Sequence, residues 1–350
     1  MPPPLTTKIK GVFAVKPRQT MRGHTMVVTG AVHLPDGRRI ITCSYDGSLR
    51  LWNLQSGVQI GNDWRDDDDD GGGGGGGDKR DAEVLSIALS PNGKTVASGS
   101  LDGKVRLWDV EMNKVVAKWT GHTETTRTLR WSIDGERVVS GSNDGTIRVW
   151  DVESGDTILG PIKTGHLYVS AVIYSPDTTK IGTGGYDETA LKIWDAKTGN
   201  LLFTIELDYT VDGLAWTLDQ KKLIAGSYPS IRIFDTATWQ QIAILEGHIN
   251  TVSSLSLFEN DRLLASGSFD KTARLWNLET NLPVGPPIQH KELVFSAAIS
   301  ADGKQLVTGC GDKNAYVWDI HTTLKAAGLE DLLSIPDVSV NTSTSVPSQH

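Results

Sequence analysis

Five histidines of the sequence recur in one fixed pattern with an aspartate, a hydroxyl residue and a tryptophan. Each precedes its aspartate by 21 or 22 residues, and the hydroxyl stands four positions before the aspartate. The five sets are His24, Thr42, Asp46 and Trp52; His122, Ser140, Asp144 and Trp150; His166, Thr183, Asp187 and Trp194; His248, Ser266, Asp270 and Trp276; and His290, Thr308, Asp312 and Trp318. A nucleophilic triad has this composition, but it also needs an exposed nucleophile and oxyanion donors, and it would not recur five times. We therefore predict a repeated structural network and no catalytic residue.

An acidic and glycine-rich segment resembles two ligand-binding motifs. Asp66-x-Asp68-x-Asp70-Gly71 begins like a calcium-binding EF-hand loop, but Gly77 stands where the bidentate glutamate belongs. The glycine run ends in Gly77-Asp78-Lys79, which lacks the Gly-Lys-Ser/Thr of a phosphate-binding loop. We predict no metal site and no cofactor, and we expect at most weak attraction of cations or a flexible lid.

Composition narrows the classes of protein that fit. The chain has 350 residues, a net charge of −8 and 37 glycines, which favours short strands and turns. The longest basic run is Lys79-Arg80, so we expect no direct nucleic acid binding. Cys43 and Cys310 show no CxxC spacing and predict buried free thiols. With no signal-like or membrane-spanning apolar run, we expect an intracellular protein, cytoplasmic or nuclear.

The elements that would position the histidine sets are short strands in a long repeat. One motif occurs seven times, with its aromatic residue spaced by 56, 42, 44, 40, 42 and 42 positions. The copies are Leu51-Trp52-Asn53, Leu107-Trp108-Asp109, Val149-Trp150-Asp151, Ile193-Trp194-Asp195, Ile233-Phe234-Asp235, Leu275-Trp276-Asn277 and Val317-Trp318-Asp319. Between them, alternating apolar and polar residues are separated by turn signals such as Asp-Gly. From residue 13 to 319 the chain resembles the WD40 family, which implies an all-β, seven-bladed β-propeller.

The two ends of the chain and the long interval between the first two motif copies define the expected domain boundaries. The last copy is followed by no further strand, and the resemblance implies that an N-terminal segment, here Phe13 to Arg22, completes the last blade and closes the ring. We expect a flexible arm at 1–12, the propeller at 13–320 with a disordered insertion at 63–81, and a short helix and disordered tail at 321–350. Leu324, Leu329, Leu332 and Leu333 suit one face of that helix, which would bind a partner, pack against the side of the propeller or fray.

The resemblance also assigns a role to the histidine sets. In WD-repeat proteins, the tryptophan, hydroxyl, histidine and aspartate form a hydrogen-bond chain within a blade, and their donors and acceptors are complementary. Blade 2 has Ser98, Asp102 and Trp108 without the Gly-His, and blade 5 has Ala225, Pro229 and Phe234 in place of hydroxyl, aspartate and tryptophan. We expect these two blades to be the least rigid.

A partner surface follows from the same resemblance, because contacts in the family cluster on the narrow top face and around the channel. The residue before each aspartate and the start of each first strand point there. These candidates are Tyr45, Leu101, Arg127, Asn143, Tyr168, Tyr186, Asp212, Tyr228, Phe269 and Phe295. Aromatic and arginine side chains are enriched at interaction hot spots, although isolated surface aromatics are also common.

The function that we expect is a non-enzymatic scaffold or adaptor that binds proteins or peptide segments, with a monomeric propeller inside a complex. The alternative is a regulatory sensor or receptor module of a nucleotide-binding switch system that lacks the NTPase domain. An enzyme with its site in the channel would need more acids, histidines or metal ligands there than Arg127 and Asp212.

Overall fold

Short strands make up almost all of the regular structure, as the alternating pattern predicts. The computed structural model describes residues 15–66, 83–186 and 191–334. In these residues the strands are β1 (Gln19–Arg22), β2 (Val28–His33), β3 (Arg39–Ser44), β4 (Leu49–Asn53), β5 (Gln59–Trp64), β6 (Val84–Leu89), β7 (Thr95–Ser100), β8 (Val105–Asp109), β9 (Lys114–Trp119), β10 (Thr126–Trp131), β11 (Arg137–Ser142), β12 (Thr146–Asp151), β13 (Thr157–Lys163), β14 (Val169–Tyr174), β15 (Lys180–Gly185), β16 (Leu191–Asp195), β17 (Leu201–Ile205), β18 (Val211–Trp216), β19 (Lys222–Ser227), β20 (Ile231–Asp235), β21 (Gln241–Leu245), β22 (Val252–Leu257), β23 (Leu263–Ser268), β24 (Thr272–Asn277), β25 (Leu282–Gln289), β26 (Val294–Ile299), β27 (Gln305–Cys310) and β28 (Asn314–Asp319). They are followed by α1 (Ile320–Ala327) and a 3₁₀ helix (Glu330–Leu333).

The described strands form seven antiparallel, four-stranded sheets, the blades of a β-propeller. In blades 1 to 6, four consecutive strands pair in chain order, from β2–β5 in blade 1 to β22–β25 in blade 6. Blade 7 has the order β1-β28-β27-β26, with Gln19 opposite Val317 and Arg22 opposite Asn314. The prediction of seven blades closed by an N-terminal strand is confirmed.

The apolar core lies between the blades. The first strands of neighbouring blades contact each other around the whole ring, including β26 with β2. Buried side chains accordingly form one cluster per pair of neighbours among the described residues. Trp64 of blade 1 packs with Trp108 of blade 2, and Met21 of blade 7 packs with Trp52 of blade 1. Each blade therefore depends on both neighbours for its burial.

The insertion between blades 1 and 2 starts later than expected. The sequence placed its first residue at 63, but Asp63 and Trp64 belong to β5, and Trp64 is buried. Beyond the strand, the carboxylate of Asp66 lies 2.8 Å from Arg106 Nε and 2.6 Å from Lys118 Nζ. A buried indole and these ion pairs hold residues 63–66 to the propeller, which corrects the expected boundary. The rest of the insertion, 67–82, lies outside the described residues.

The segment after the last blade packs against the propeller. Asp319 caps α1 by accepting from the backbone N–H of Thr322 over 3.0 Å. Ile320, Leu324 and Leu332 are completely buried in the cluster between blades 6 and 7. Of the roles that the leucines suggested, the structure therefore shows packing against the propeller. The expected tail beyond residue 334 and the arm at 1–12 lie outside the described residues.

Candidate functional site

Three of the five histidine sets form a complete hydrogen-bond chain, in blades 1, 3 and 6. In blade 1, Trp52 Nε1 donates to Thr42 Oγ1 over 2.8 Å, the same hydroxyl lies 2.8 Å from His24 Nε2, and His24 Nδ1 lies 2.9 Å from Asp46 Oδ2. The corresponding distances are 2.8, 2.8 and 3.0 Å in blade 3 and 2.8, 2.7 and 2.7 Å in blade 6. The hydroxyl residues of all three sets are completely buried.

The direction of each bond follows from the donors. Because an indole N–H can only donate, the hydroxyl accepts from it and gives its own hydrogen to Nε2, which leaves Nδ1–H to donate to the carboxylate. Asp46 also accepts from the backbone N–H of Thr25 and from the hydroxyl of Ser48. The network therefore fastens the loop before a first strand to the turn between the second and third strands. A hydroxyl buried in this way cannot reach a substrate.

The pKa values of the three aspartates agree with a structural role for the hydrogen-bond network. Burial acts to raise the pKa of Asp46, but hydrogen bonds from His24 and Ser48 outweigh it and hold that pKa well below its usual range. Asp144 and Asp270 show the same balance of burial and hydrogen bonds. The three aspartates are therefore carboxylates at neutral pH, as the chain of donors requires.

In blade 4, the histidine, the hydroxyl and the tryptophan of the set form the expected hydrogen bonds. His166 Nε2 lies 3.2 Å from Thr183 Oγ1, and Trp194 Nε1 donates to the same hydroxyl over 2.9 Å. Asp187, the expected carboxylate, lies outside the described residues. The inner half of the network is thus the same as in blades 1, 3 and 6.

Blade 7 departs from the expected set. His290 Nε2 lies 2.8 Å from Thr308, and Trp318 donates to Thr308 over 2.9 Å, but His290 Nδ1 lies 3.1 Å from the carbonyl of Ile288. Asp312 instead accepts from the hydroxyl of Tyr316 over 2.5 Å. The expected pair of His290 and Asp312 is therefore replaced by two bonds, His290 to the carbonyl of Ile288 and Tyr316 to Asp312.

Blades 2 and 5, whose histidine sets are incomplete in the sequence, have different side chains at these positions. In blade 2, Trp108 Nε1 donates to Ser98 over 2.8 Å, and Arg106 bridges Asp102 and Asp66 at 2.7 and 2.8 Å. The guanidinium thus ties the turn of blade 2 to the end of β5, a connection that sequence reasoning missed. In blade 5, Ala225 and Phe234 are buried and apolar, so no polar chain can form at these positions.

The candidate partner residues lie at one end of the blades, which we call the upper face. The residue before each aspartate donates its backbone N–H to the residue just before, or at the start of, the first strand, at distances of 2.8 to 3.2 Å. These bonds join Tyr45 to Val27, Leu101 to Glu83, Asn143 to Thr125, Tyr186 to Tyr168, Phe269 to Thr251 and Gly311 to Leu293. Tyr228 directly follows Ser227, which pairs with Val211 at the start of β18. Second-to-third-strand turns and first-strand starts therefore share one face.

Four of the candidates form a continuous group, which we call the Arg127 stack. The guanidinium of Arg127 lies 4.9 Å from the ring centre of Tyr168, and its Nη1 donates to Asn143 Oδ1 over 3.2 Å. Tyr168 stacks on Tyr186 with 5.5 Å between ring centres. The stack spans blades 3 and 4 and leaves Tyr186 half exposed.

Two more aromatic pairs lie on the upper face. Phe269 and Phe295 of blades 6 and 7 have ring centres 5.1 Å apart, and Tyr228 pairs with Tyr209 at 5.6 Å. Sequence reasoning missed Tyr209, although its position two residues before β18 marks it as a loop residue. Tyr45 takes part in no aromatic ring pair among the described residues.

The central channel opens beside these groups. A cavity of about 680 Å³ is lined by the first strands and includes Arg127, Ser170, Asp212 and Phe295. Burial raises the pKa of Asp212, and the hydrogen bond from Thr210 and the charge of Arg127 oppose it only in part. Arg127 and Asp212 thus set the charge of the upper channel mouth.

The described residues contain neither a metal-binding group nor a disulfide. No group of three or more histidine, cysteine, aspartate or glutamate side chains there could hold a metal ion. Cys43 and Cys310 are free and buried, which confirms the sequence-based prediction for both thiols. In the part of the chain that the structure describes, no helix has the length and apolar character to span a membrane.

Comparison with known families accounts for the repeat. The model of the family described as "WD domain, G-beta repeat" matches residues 15–53, 77–109, 113–151, 239–277 and 284–319, more than half of the chain. The chain belongs to the WD40-repeat family. The five matches cover blades 1, 2, 3, 6 and 7, whereas blades 4 and 5 of this WD40 protein are evident from its motif copies and its sheets.

Individual relatives are distant. The chain is 25% identical over 272 residues to a guanine nucleotide-binding protein subunit beta of Oryza sativa subsp. japonica, which covers 73% of this chain and 58% of the relative. It is 26% identical over 207 residues to Protein FIZZY-RELATED 3 of Arabidopsis thaliana, with coverages of 57% and 43%. A serine-threonine kinase receptor-associated protein of Dictyostelium discoideum is 26% identical over 260 residues, with coverages of 73% and 82%. The chain thus spans about half the length of the first two relatives.

Proposed function

We propose that this WD40 protein is a non-enzymatic scaffold or adaptor that binds segments of partner proteins on its upper face. The observation that carries the proposal is the Arg127 stack, with the pairs Phe269–Phe295 and Tyr209–Tyr228 on the same face. Aromatic side chains bury large areas with little loss of entropy, and they dominate binding hot spots together with arginine. We include an intracellular location, cytoplasmic or nuclear, in this proposal.

The chemistry of the face indicates what the segment carries. Tyr186, Tyr228 and Tyr209 are each more than 40% exposed, so their rings offer apolar area to a partner. Arg127 is held by Tyr168 and Asn143 and forms no ion pair within the described residues. A pre-positioned guanidinium binds a carboxylate well. The partner segment that fits has an aromatic or aliphatic anchor next to an acidic residue.

The test compares captured partners between matched variants. Tyr45→Ala/Tyr186→Ala/Phe269→Ala removes three rings of the upper face, and Val116→Ala/Ile158→Ala/Ile242→Ala removes three exposed side chains of the outer strands. Both are first shown to be folded by circular dichroism, and affinity capture is then read by mass spectrometry. We expect partners of the wild type to persist with the outer-strand variant and to be lost from the upper-face variant. The reverse result would move the binding site to the sides of the blades.

A second candidate function is a regulatory module for a nucleotide-binding switch protein. The similarity to the guanine nucleotide-binding protein subunit beta of Oryza sativa subsp. japonica favours it. Its test uses the same capture, repeated with and without added non-hydrolysable nucleotide. Partners that contain a nucleotide-binding domain and respond to the nucleotide would support this candidate, and a nucleotide-independent set of partners would favour the general scaffold.

A further inference from the structure

A second cavity lies at the other end of the first strands from the upper face. It has a volume of about 290 Å³, and we call it the lower pocket. The ends of β6, β10, β14 and β18 and the turns after them line it, so four neighbouring blades contribute to its wall. The candidate partner residues of the upper face are not among its lining residues.

The charged group of the lower pocket is Arg130. It stands three residues after Arg127 on β10, which places it roughly 10 Å further along the strand and in the wall of both the pocket and the channel. Its Nη1 donates to the carbonyl of Leu129 over 2.9 Å, and no carboxylate of the described residues pairs with it. Burial alone lowers its pKa. Arg130 is half-buried and has no carboxylate partner, so an anion that enters the pocket can form a charge-assisted hydrogen bond with its guanidinium.

Nearby carboxylates do not serve as that counter-charge. Asp134 lies in the turn after β10, but it accepts from the hydroxyl of Ser132 and from the backbone N–H of Glu136. Asp177 in the next blade is bonded in the same way by Ser175 and Thr179. These acids hold their own turns and leave the guanidinium of Arg130 available.

Two further donors belong to the same wall. Tyr174 and Trp216 are more than 90% buried, and neither the Tyr174 hydroxyl nor Trp216 Nε1 makes a hydrogen bond within the described residues. Burial raises the pKa of Tyr174, so its hydroxyl stays protonated and can donate. Buried polar groups normally have a partner, and these two sit in a wall that already holds a cation. The remaining lining side chains are mainly apolar: Ala88, Leu89, Pro91, Ile133, Ile173, Pro176 and Leu218.

We propose that the lower pocket binds a carboxylate attached to a small aromatic or branched apolar group. The carboxylate pairs with Arg130, and the apolar group packs against Ile173 and Trp216. A strongly hydrated polyanion such as phosphate does not suit the apolar wall, because its desolvation is too unfavourable. The volume fits one small ring or branched side chain, so the carboxylate belongs either to a small organic acid or to the C-terminal residue of a peptide.

The test uses phenylacetate and its neutral isostere phenylacetamide as probes of the full chain. Binding is followed by the indole N–H resonance of Trp216, assigned with Trp216→Phe. We expect phenylacetate to shift this resonance at millimolar concentration and phenylacetamide to bind about ten-fold more weakly or worse, because it lacks the charge-assisted bond. Equal binding of the two probes, or no shift of the Trp216 resonance, would overturn the proposal.

Matched variants locate the site. Arg130→Gln should weaken phenylacetate binding about ten-fold or more, whereas Arg38→Gln, at an exposed turn position of blade 1, should leave it unchanged. Arg130→Lys keeps the charge, and it should retain more binding than Arg130→Gln even if both variants are less stable. Unchanged affinity in Arg130→Gln would refute the assignment. N-acetylphenylalanine separates the two sources: tighter binding than phenylacetate indicates a peptide C-terminus, and weaker binding indicates a small acid.

Discussion

In blades 1, 3 and 6 a buried hydroxyl forms hydrogen bonds with both a tryptophan and a histidine. Ser140 accepts from Trp150 and lies 2.8 Å from His122, and the same arrangement recurs at Thr42 and Ser266. A hydroxyl can do this because it is both a donor and an acceptor. Removing the hydroxyl leaves two buried polar groups without a partner. This costs more stability than replacing all of these groups by apolar ones.

The variant Ser140→Ala tests this argument. We expect it to lower the free energy of unfolding by about 1–3 kcal/mol, because Trp150 and His122 lose their shared partner. Urea unfolding measures the change. Glu153→Ala, at an exposed turn position of the same blade, is the control and should stay within about 0.5 kcal/mol of the wild type. Similar losses in both variants would contradict a structural role for the Ser140 hydroxyl.

Two histidines should make the fold sensitive to mild acid. Burial lowers the pKa of His33 and of His290 to about 4, and the carbonyls of Ala298 and Ile288 offset it only in part. The folded state therefore binds fewer protons than the unfolded state between pH 6.5 and 4. The stability is fully present above the unfolded pKa of about 6.5 and falls as the pH decreases towards 4.

We expect the free energy of unfolding to decrease by roughly 1–2 kcal/mol per histidine between pH 7 and pH 5. Urea unfolding at both values measures this for the wild type, His33→Gln and His290→Gln. Each variant should remove part of the pH dependence even if it lowers stability at pH 7. A pH dependence identical to that of the wild type would show that neither imidazole is kept neutral by burial.

Among the elements, a strand of four residues has the largest topological effect. β1 is the only strand that joins the N-terminal part of the described chain to the last blade, by pairing with β28. Its Met21 is buried in the cluster between blades 7 and 1, with Trp52 and Val317. Without this strand, β28 would be an open edge and the cluster would lose one wall.

Met21→Ala should therefore lower the free energy of unfolding by about 2–5 kcal/mol, because it leaves a cavity at the closure of the ring. Gln19→Ala on the same strand is the control. The Gln19 side chain makes an exposed bond to the Gln55 carbonyl, so we expect a loss below about 1 kcal/mol. Denaturant unfolding gives both numbers. Equal effects would mean that closure depends on the backbone pairing alone.

At the scale of the whole molecule, stability is shared between blades that are not equivalent. Every blade shares a buried cluster with each of its two neighbours, but the polar networks of the blades differ. Blades 1, 3 and 6 carry the complete chain, blade 2 replaces the histidine by ion pairs of Arg106, and blade 5 has apolar Ala225 and Phe234 at the key positions. The sequence alone placed blades 2 and 5 together as the least rigid, and we expect the ion pairs of Arg106 to make blade 2 more rigid than blade 5.

Amide hydrogen exchange should reveal this order. We expect β19 and β20 of blade 5 to be the least protected inner strands, β7 and β8 of blade 2 to be intermediate, and β11 and β12 of blade 3 to be the most protected. Exchange followed by mass spectrometry of peptides resolves the blades. Uniform protection of the inner strands would show that packing between blades, and not the polar network, sets local stability.

The sequence by itself determined the number of blades, the closing strand and the membership of most hydrogen-bond sets. These follow from a motif that recurs seven times, at intervals of 40 to 44 residues after a first interval of 56, from strands of period two, and from the resemblance to the WD40 family. It also placed Arg127, Tyr168 and Tyr186 on one face, because their positions in the repeat are equivalent or adjacent.

Only the tertiary structure decided which side chains meet between blades. Tyr316, and not His290, donates to Asp312, and Asp66 forms an ion pair with Arg106. Arg130, Tyr174 and Trp216 all line the lower pocket. Each of the last two contacts joins residues roughly one repeat apart, where a periodic pattern makes one position look like its equivalents. The repeat specifies the strand pattern that all blades share. The individual side chains differ from blade to blade, and those of neighbouring blades come into contact only in the folded ring.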